Sequence, residues 1–266
     1  MKYLVNVSGG VPSAIALERT LKKYGHENTV AIFADVKIED PDLYRFLDDV
    51  SGYLKKSIRR ISEGRTPWDV FFDEKMMGNN RADLCSRILK REFIDRHIFE
   101  AGFTPENTTR VFGFGIKEIH RSENIKKVVH PFPVWIPLHE PPFMSNCECI
   151  EYVRNEWGID PPALYDDGFP HNNCGGVCVK AGHGQWYLAY KKRRSVFDMW
   201  EQKEQEHREM TGKDVSILRD RRGGTNSTMT LKELRRRFED EGYRPSDISG
   251  GCDCMGIQSV SLNVAD

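Results

Sequence analysis

Residues 2–23 read KYLVNVSGGVPSAIALERTLKK, and this stretch decides the fold. It begins with a compact apolar run that stops at Ser8-Gly9-Gly10, which favours a buried strand. From Pro12 onward, apolar residues recur at helical spacing, which predicts an amphipathic helix with proline in its first turn. The chain is therefore expected to start with a strand, a tight glycine turn and a helix.

The next residues repeat this order. Residues 29–36, TVAIFADV, form an apolar run that includes Asp35 and predicts a second buried strand. Asp40 is placed to cap a helix that has Pro41 in its first position. Alternating strands and helices predict parallel strands with right-handed crossovers. The expected fold class is α/β, a Rossmann-like αβα sandwich with a mostly parallel sheet.

Two further elements extend this pattern. Residues 81–102 predict a long amphipathic helix that ends at Gly102, and residues 109–116 predict another buried strand. Proline-rich and glycine-rich loops then become common. We expect a first domain over residues 1–180.

The rest of the chain is expected to be an irregular and helical C-terminal region that contains cysteines. It would cover residues 181–266 and pack on the first domain. A charged helix is predicted over residues 190–211, and a last helix is predicted with Thr230 as its cap.

Composition excludes several classes of protein. The chain has 266 residues, of which 39% are hydrophobic and 30% charged, enough for a core without disulfides. A net charge of -1 gives no overall attraction to nucleic acid or to anionic membranes, so such binding needs local patches. Without an apolar run of about 18 residues or a leader pattern, we expect no membrane partner and a cytoplasmic protein. Its cysteines would there be thiols, metal ligands or redox centres.

The glycine turn predicts an anion site. A strand, a Ser-Gly-Gly turn and a helix bring backbone N–H groups to a helix N-terminus, where glycines let a phosphate come close. Ser8 and Ser13 add hydroxyl donors. Neither a Walker loop nor a G-x-G-x-x-G fingerprint is present. The same junction also suits a plain turn with no ligand.

Several segments resemble one known superfamily. VSGGVPSAIAL resembles the S-G-G-x-D-S pyrophosphate loop (PP-loop) of the N-type ATP pyrophosphatases and adenine nucleotide alpha hydrolases. Four later segments resemble the phosphoadenosine phosphosulfate (PAPS) reductase branch: FADVKIEDPDLYRFLDDV, LCSRILK, FGFGIKEIHRSE and PPALYDDGFPHNNCGGVC. They follow the order of that branch over about the first 180 residues.

This resemblance implies an adenine nucleotide, ATP first of all, at the carboxyl ends of the strands. It implies these nucleotide-binding residues: Ser8, Gly9, Gly10 and Ser13 for the phosphates, Asp35 for the ribose or adenine, and Gly115 and Arg121 for the far side. A turn or helix cap is the alternative role of Asp35.

One residue departs from the ATP pyrophosphatases. They carry an aspartate where this chain has Pro12, and that aspartate would help to place Mg²⁺ on pyrophosphate. Proline fits the first helical turn, so the phosphate cradle is expected to keep its shape. Mg²⁺ and ATP cleavage are left open, because the reductase branch also lacks this aspartate.

Six of the seven cysteines form close pairs. The pairs and the remaining residue are Cys147 and Cys149, Cys174 and Cys178, Cys252 and Cys254, and the single Cys85. Paired cysteines in a cytosolic protein indicate metal ligands or redox centres. Cys85 also suits a buried helix position with no ligand.

The resemblance gives the cysteines roles. It implies a 4Fe–4S cluster held by Cys85, Cys174 and Cys178, with a fourth ligand from the tail, such as Cys254, or from the Cys147 pair. Zinc uses the same donor set and is the alternative. Cys252 or Cys254 could instead be the catalytic nucleophile, because a mobile tail thiolate is typical of the reductase branch.

Basic runs lie in the last third of the chain. The runs at residues 191–194 and 235–237 are typical of solvated helix faces. Residues 219–222 lie in a glycine-containing loop, where guanidinium groups could hold a nucleotide phosphate or an RNA backbone.

The function predicted from the sequence is ATP-dependent adenylation and thiolation of a nucleobase, a tRNA base or another small acceptor. One alternative is a sulfonucleotide reductase that releases sulfite from PAPS or its analogue without the 3′-phosphate. The other is a nucleotide-binding module without turnover. A homodimer is left open.

Overall fold

The computed structural model describes residues 1–79 and 82–245. Its main sheet has five parallel strands in the order β3-β2-β1-β4-β5, and a separate antiparallel hairpin pairs β6 with β7. The strands are β1 (Lys2–Asn6), β2 (Thr29–Ala34), β3 (Ile58–Ile61), β4 (Thr108–Phe112), β5 (Val134–Trp135), β6 (Leu218–Asp220) and β7 (Ser227–Met229).

Eleven α-helices are seen in the described residues. They are α1 (Val11–Tyr24), α2 (Pro41–Tyr53), α3 (Pro67–Asp73), α4 (Leu84–Ser86), α5 (Phe93–Glu100), α6 (Ile119–Val128), α7 (Asn146–Glu156), α8 (Ala163–Asp166), α9 (His183–Lys192), α10 (Arg194–Thr211) and α11 (Leu231–Glu239). None of them is long and apolar enough to cross a bilayer.

Helices cover both faces of the main sheet. On β1, Val5 packs into the core that α1, α2 and α7 share, whereas Leu4 packs against Ile94 and Ile98 of α5. Successive strand residues point to opposite faces, so both faces of β1 are buried and the strand is apolar throughout. The predicted Rossmann-like αβα fold is confirmed.

Two predicted helix caps are confirmed. The carboxylate of Asp40 accepts the backbone N–H of Asp42 at 2.9 Å, and α2 begins at Pro41. The hydroxyl of Thr230 accepts the backbone N–H of Glu233 at 3.1 Å at the start of α11.

The strand expected over residues 109–116 is wrong at its end, because β4 stops at Phe112. Gly113 then lies against the first turn of α1: a Cβ there would be 2.5 Å from the carbonyl oxygen of Pro12. The chain must therefore leave the sheet at this point, although the apolar sequence continues.

The helix expected over residues 81–102 is interrupted. A π-helical segment, Arg87–Glu92, separates α4 from α5. Such π-helical segments occur often at functional sites, since they turn side chains away from a regular helical face. Periodicity alone does not show this interruption.

The C-terminal helices share a core with earlier parts of the chain. Trp186 and Trp200 are buried beside Trp68 of α3 and Phe238 of α11. The domain boundary expected at residue 180 stays a prediction.

A buried carboxylate ties this region together. Glu204 of α10 accepts the backbone N–H groups of Ile217 at 2.9 Å and of Leu231 at 2.5 Å. It thereby joins α10 to the β6–β7 hairpin and to α11. Burial raises the pKa of Glu204 to about 7.

Candidate nucleotide cleft and thiol cavity

The loop between β1 and α1 is held by its own serines. Ser13 Oγ accepts the backbone N–H of Ser8 at 3.0 Å and donates to the carbonyl of Gly10 at 2.7 Å. Gly9 has a φ of +82°, which the turn requires and which glycine adopts freely. Helix α1 then begins at Val11 without a side-chain cap. In its first turn the N–H of Val11 bonds the hydroxyl of Tyr165, and the N–H of Ser13 bonds the Gly10 carbonyl at 3.1 Å.

A cleft of about 230 Å³ opens beside this loop. It lies outside the carboxyl ends of β1 and β4, where the strand order reverses, which is the usual ligand position in open α/β sheets. The predicted nucleotide residues that line it are Ser8, Gly10, Ser13, Gly115 and Arg121.

Two predicted residues do not line the cleft. Gly9 lies behind the loop, where a Cβ would be 2.6 Å from the side chain of Leu43. Asp35 Oδ1 accepts the backbone N–H of Lys37 at 2.8 Å and the hydroxyl of Tyr44 at 2.9 Å. Asp35 therefore shapes the turn after β2, which matches its alternative role as a cap.

Glu118 organises the far side of the cleft, and sequence analysis did not single it out. Its Oε2 accepts the backbone N–H of Gly115 at 2.8 Å, and its Oε1 pairs with Arg121. The guanidinium of Arg121 also lies 4.8 Å from the ring of Phe114. Arg121 is thus held in place at the cleft wall, beside the exposed Lys117.

A third wall comes from the loop after α8. Asn172 is 2% exposed, and its Nδ2 donates to the carbonyl of Gly9 at 3.2 Å. Its Oδ1 is buried and accepts no hydrogen bond from the described residues. Because buried acceptors are normally satisfied, this oxygen at the cleft indicates a place for a ligand donor, such as a hydroxyl or an amino group.

The structure brings Cys85, Cys174 and Cys178 together. All three line one small cavity of about 20 Å³, which we call the thiol cavity, with Asp83 and Lys180 among its other lining residues. Burial raises the pKa of Cys85 to about 12 and raises those of Cys174 and Cys178 as well. Without a ligand that replaces their protons, these sulfurs stay thiols at neutral pH.

Lys90 lines both the cleft and the thiol cavity. It lies in the π-helical segment, and its side chain is 11% exposed. Its Nζ is 3.6 Å from the fully buried carboxylate of Glu39, which also accepts the backbone N–H of Cys174. Burial is the largest single effect and opposes the charge of Lys90, but Glu39 and the neighbouring cysteines together outweigh it and raise the pKa of Lys90. Lys90 and Glu118 both lie in segments that carry the resemblance, which is the signal that could have found them.

The donor chemistry of the thiol cavity suits a soft metal in part. Zinc and four-iron clusters take four ligands, and thiolate sulfurs are typical of both. Three thiols meet here, but the described residues contain no group of three or more histidine, cysteine, aspartate or glutamate side chains arranged to hold a metal ion. A cavity of about 20 Å³ holds roughly one water-sized particle, so a cluster would need the loop around Cys174 to move.

The other predicted cysteine roles fall elsewhere. Cys252 and Cys254 lie outside the described residues. Cys149 of α7 is buried in the core shared with α1, apart from the thiol cavity, and Cys147 is exposed. The Cys147 pair therefore does not line the thiol cavity.

Comparisons with known proteins give a likeness in structure and none in sequence. No family model matches the chain, and no curated protein matches it. The chain is similar to the solved structure of the NH3-dependent NAD synthetase from Campylobacter jejuni subsp. jejuni NCTC 11168 in complex with the nitrate ion. The TM-score is 0.39 and the identity 14%, over 82% of this chain and 89% of that chain. Likeness at this level carries no inference about function.

Proposed function

We propose that the protein is a PP-loop enzyme that binds an adenine nucleotide in the cleft beside Ser8–Ser13. ATP is the first candidate for this nucleotide. The main support is that the loop, with its Ser8 and Ser13 hydroxyls and the positive end of α1, meets the cleft at the switch point of the sheet. Three cations, Lys90, Lys117 and Arg121, line the same cleft and suit a polyphosphate.

Asn172 adds support for a nucleoside. Its unpartnered Oδ1 would accept a hydroxyl of the ribose or the amino group of adenine. Filling this acceptor on binding would also fix the Gly9 carbonyl that Asn172 Nδ2 contacts. The phosphate loop and the nucleoside wall are thus joined by one side chain.

The proposed reaction is adenylation followed by sulfur transfer. A carbonyl oxygen of the acceptor attacks the α-phosphorus of ATP and pyrophosphate leaves, after which a sulfur nucleophile attacks the activated carbon and AMP leaves. The serine hydroxyls of the loop and the N-terminal end of α1 would hold the leaving pyrophosphate. The sulfur chemistry is supported by the thiol cavity, which shares Lys90 with the cleft.

A metal centre is part of this proposal. Cys85, Cys174 and Cys178 would hold a 4Fe–4S cluster, or zinc in its place, and Cys254 would be the fourth ligand. Such a centre would carry or position sulfur. Anaerobic purification with iron, zinc and acid-labile sulfide counts tests it: iron equal to sulfide supports the cluster, one zinc per chain supports zinc, and neither metal would overturn both.

Nucleotide binding is tested by calorimetry with ATP and Ser13→Ala. This change removes the hydroxyl that ties Ser8 to Gly10, so we expect affinity to fall by about tenfold. Ser51→Ala is the matched control, because Ser51 Oγ makes a 2.9 Å bond to the Lys56 carbonyl away from the cleft. Equal affinities for both variants and the wild type would sink the cleft assignment.

A non-catalytic nucleotide module is favoured by one observation. Glu118 is the one carboxylate among the described residues that line the cleft, and it is already held by Gly115 and Arg121. No free carboxylate among them is available for Mg²⁺. ATP binding without release of pyrophosphate or AMP, under any acceptor tested, would establish this function in place of the enzyme.

The sulfonucleotide reductase stays the other alternative. It is favoured by the position of Lys90, which lines both the cleft and the thiol cavity. Sulfite release from PAPS, dependent on thioredoxin, would establish it, and absence of sulfite with active pyrophosphate release would exclude it.

A further inference from the structure

A second polar cavity, which we call the arginine cavity, lies away from the nucleotide cleft. Its volume is about 480 Å³, and it is lined by residues 180–183 and 217–222. The first stretch leads into α9, and the second contains β6 and the start of its turn. It shares no lining residue with the nucleotide cleft.

The charge of this cavity is strongly positive. Its lining residues include four cations, Lys180, Arg219, Arg221 and Arg222, and one acid, Asp220. The Asp220 carboxylate accepts hydrogen bonds from Arg222, at 3.1 Å, and from a further arginine outside the cavity at 2.8 Å. It is therefore more than neutralised, and an excess of positive charge remains.

Two of these cations are available to a ligand. Arg219 and Arg221 are exposed, and neither side chain makes a hydrogen bond or ion pair with a described residue. The nearby run on α11 behaves differently: Arg235 pairs with Glu201 and Arg236 pairs with Glu233. The run at 235–237 is thus consumed by structural ion pairs, whereas the cavity keeps two guanidinium groups unpaired.

The segment that carries these arginines is anchored. The ring of His183 contacts the carbonyl of Arg219 at 3.2 Å and the hydroxyl of Tyr243 at 3.2 Å. The guanidinium of Arg222 lies 5.6 Å from the ring of Tyr243. The backbone that carries Arg219 and Arg221 is therefore held in place, so ligand binding would order only their side chains.

The arginine cavity adjoins the thiol cavity. Lys180 lines both, and its Nζ is 3.1 Å from Asp83, itself a lining residue of the thiol cavity. A ligand anchored in the arginine cavity would therefore lie next to the thiol cavity.

We propose that the arginine cavity binds phosphate groups of a second ligand, separate from the nucleotide in the cleft. Guanidinium groups match phosphate oxygens in paired hydrogen bonds, and several cations in one concave site favour a group of at least two negative charges. The phosphates belong to a nucleic-acid strand or to a small phosphorylated molecule. The proposal does not depend on what the cleft binds.

The test uses two double variants with the same change in charge. Arg219→Ala with Arg221→Ala removes the unpaired cations, and Lys191→Ala with Lys192→Ala removes two exposed cations of α9 outside the cavity. Thermal unfolding checks that all proteins are folded. The probes are a fluorescent single-stranded RNA of about 15 nucleotides without terminal phosphate, and inorganic pyrophosphate.

We expect at least one probe to bind the wild type. The affinity of that probe for the arginine variant should be at least about tenfold lower than for the wild type, and its affinity for the lysine variant should stay within about twofold of the wild type. For RNA, loss of two phosphate contacts should reduce the slope of log K against log salt by about 1.4. Weakening of RNA alone assigns the phosphates to a strand, and weakening of pyrophosphate identifies a small ligand.

Three results would overturn the proposal: binding of neither probe, equal weakening by both double variants, or no weakening by the arginine variant. ATP titration of the same proteins separates this site from the cleft. Loss of ATP binding in Ser13→Ala with RNA or pyrophosphate binding retained would leave the arginine cavity standing on its own.

Discussion

Replacing Gly113 by alanine should displace the phosphate loop although no residue of that loop is changed. A Cβ built on Gly113 would be 2.4 Å from Ser13 Cα, 2.5 Å from the Pro12 carbonyl oxygen and 2.6 Å from the Pro12 carbonyl carbon. All three are backbone atoms in the first turn of α1, so no side-chain rotation can relieve the contact.

The magnitude follows from these distances. Ordinary contacts begin near 3.4 Å, so β4 and α1 must separate by about 1 Å at this point. Overpacking of this kind costs about 1–3 kcal/mol, and we expect the free energy of unfolding of Gly113→Ala to fall by that amount. A shift of the loop by about 1 Å misaligns its N–H groups with a phosphate, so ATP affinity should fall by about tenfold or more.

Gly52→Ala is the matched control for this experiment. Gly52 lies inside α2, and no atom lies within 4 Å of its added Cβ. Alanine in a helix interior is better than glycine by about 1 kcal/mol, so this variant should be more stable than the wild type. Its ATP affinity should be unchanged.

Urea unfolding and ATP calorimetry on the three proteins measure both effects. A Gly113→Ala protein as stable as the wild type would refute the close approach of β4 to α1. Lower stability with full ATP affinity would refute the role of the Ser8–Ser13 loop in nucleotide binding.

Three further predictions follow from other buried or exposed groups. Glu204→Ala should lower the free energy of unfolding by about 2–4 kcal/mol, because two buried backbone N–H groups lose their acceptor; ATP binding should not change. The pKa of Glu204 is raised in the folded state, so between about pH 4.5 and 7 the folded protein keeps a proton that the unfolded chain releases. The contribution of this proton to the free energy of unfolding is complete below about pH 4.5 and is lost as the pH rises through about 7. Urea unfolding at several pH values should show this dependence in the wild type and not in Glu204→Ala. Peptide mapping after brief maleimide treatment at pH 7 should find Cys147 labelled and Cys149 unlabelled, because Cys147 is exposed whereas burial raises the pKa of Cys149 to about 12; equal labelling would contradict the packing of α7. Lys90→Met should lower the free energy of unfolding by about 3–5 kcal/mol, because the buried Glu39 carboxylate loses its cationic partner and keeps only the backbone N–H of Cys174. Adding Glu39→Leu should recover part of the loss, whereas additive losses in the double variant would show that the two groups do not interact.

The parallel core could be predicted because its signals are local. The apolar run before Ser8, the glycine turn and the helix that follows contain their own periodicity, and Asp40 and Thr230 cap helices through atoms two or three residues away. Such features need no knowledge of tertiary contacts.

The edge strand β3 was missed for a physical reason. Its residues Arg59 and Arg60 are exposed between buried Ile58 and Ile61. An edge strand this short has neither an apolar run nor strict alternation, so only pairing with β2 reveals it.

The resemblance predicts the convergence of three cysteines, but it does not predict that Lys90 lies between them and the cleft. A single lysine in an amphipathic helix pattern is expected to face solvent. Lys90 faces inward because the π-helical segment shifts its direction, and Glu39, which comes from the turn after β2, compensates its charge. Neither cause is visible in the spacing of residues 81–102.

The position of Lys90 ties the two cavities together through one charge. Its ammonium group lies where it can attract a phosphate in the cleft or a thiolate in the thiol cavity. The attraction weakens with distance, so a shorter distance to one of these groups means a longer distance to the other. The raised pKa values of the cysteines mean that a thiolate there depends on nearby positive charge.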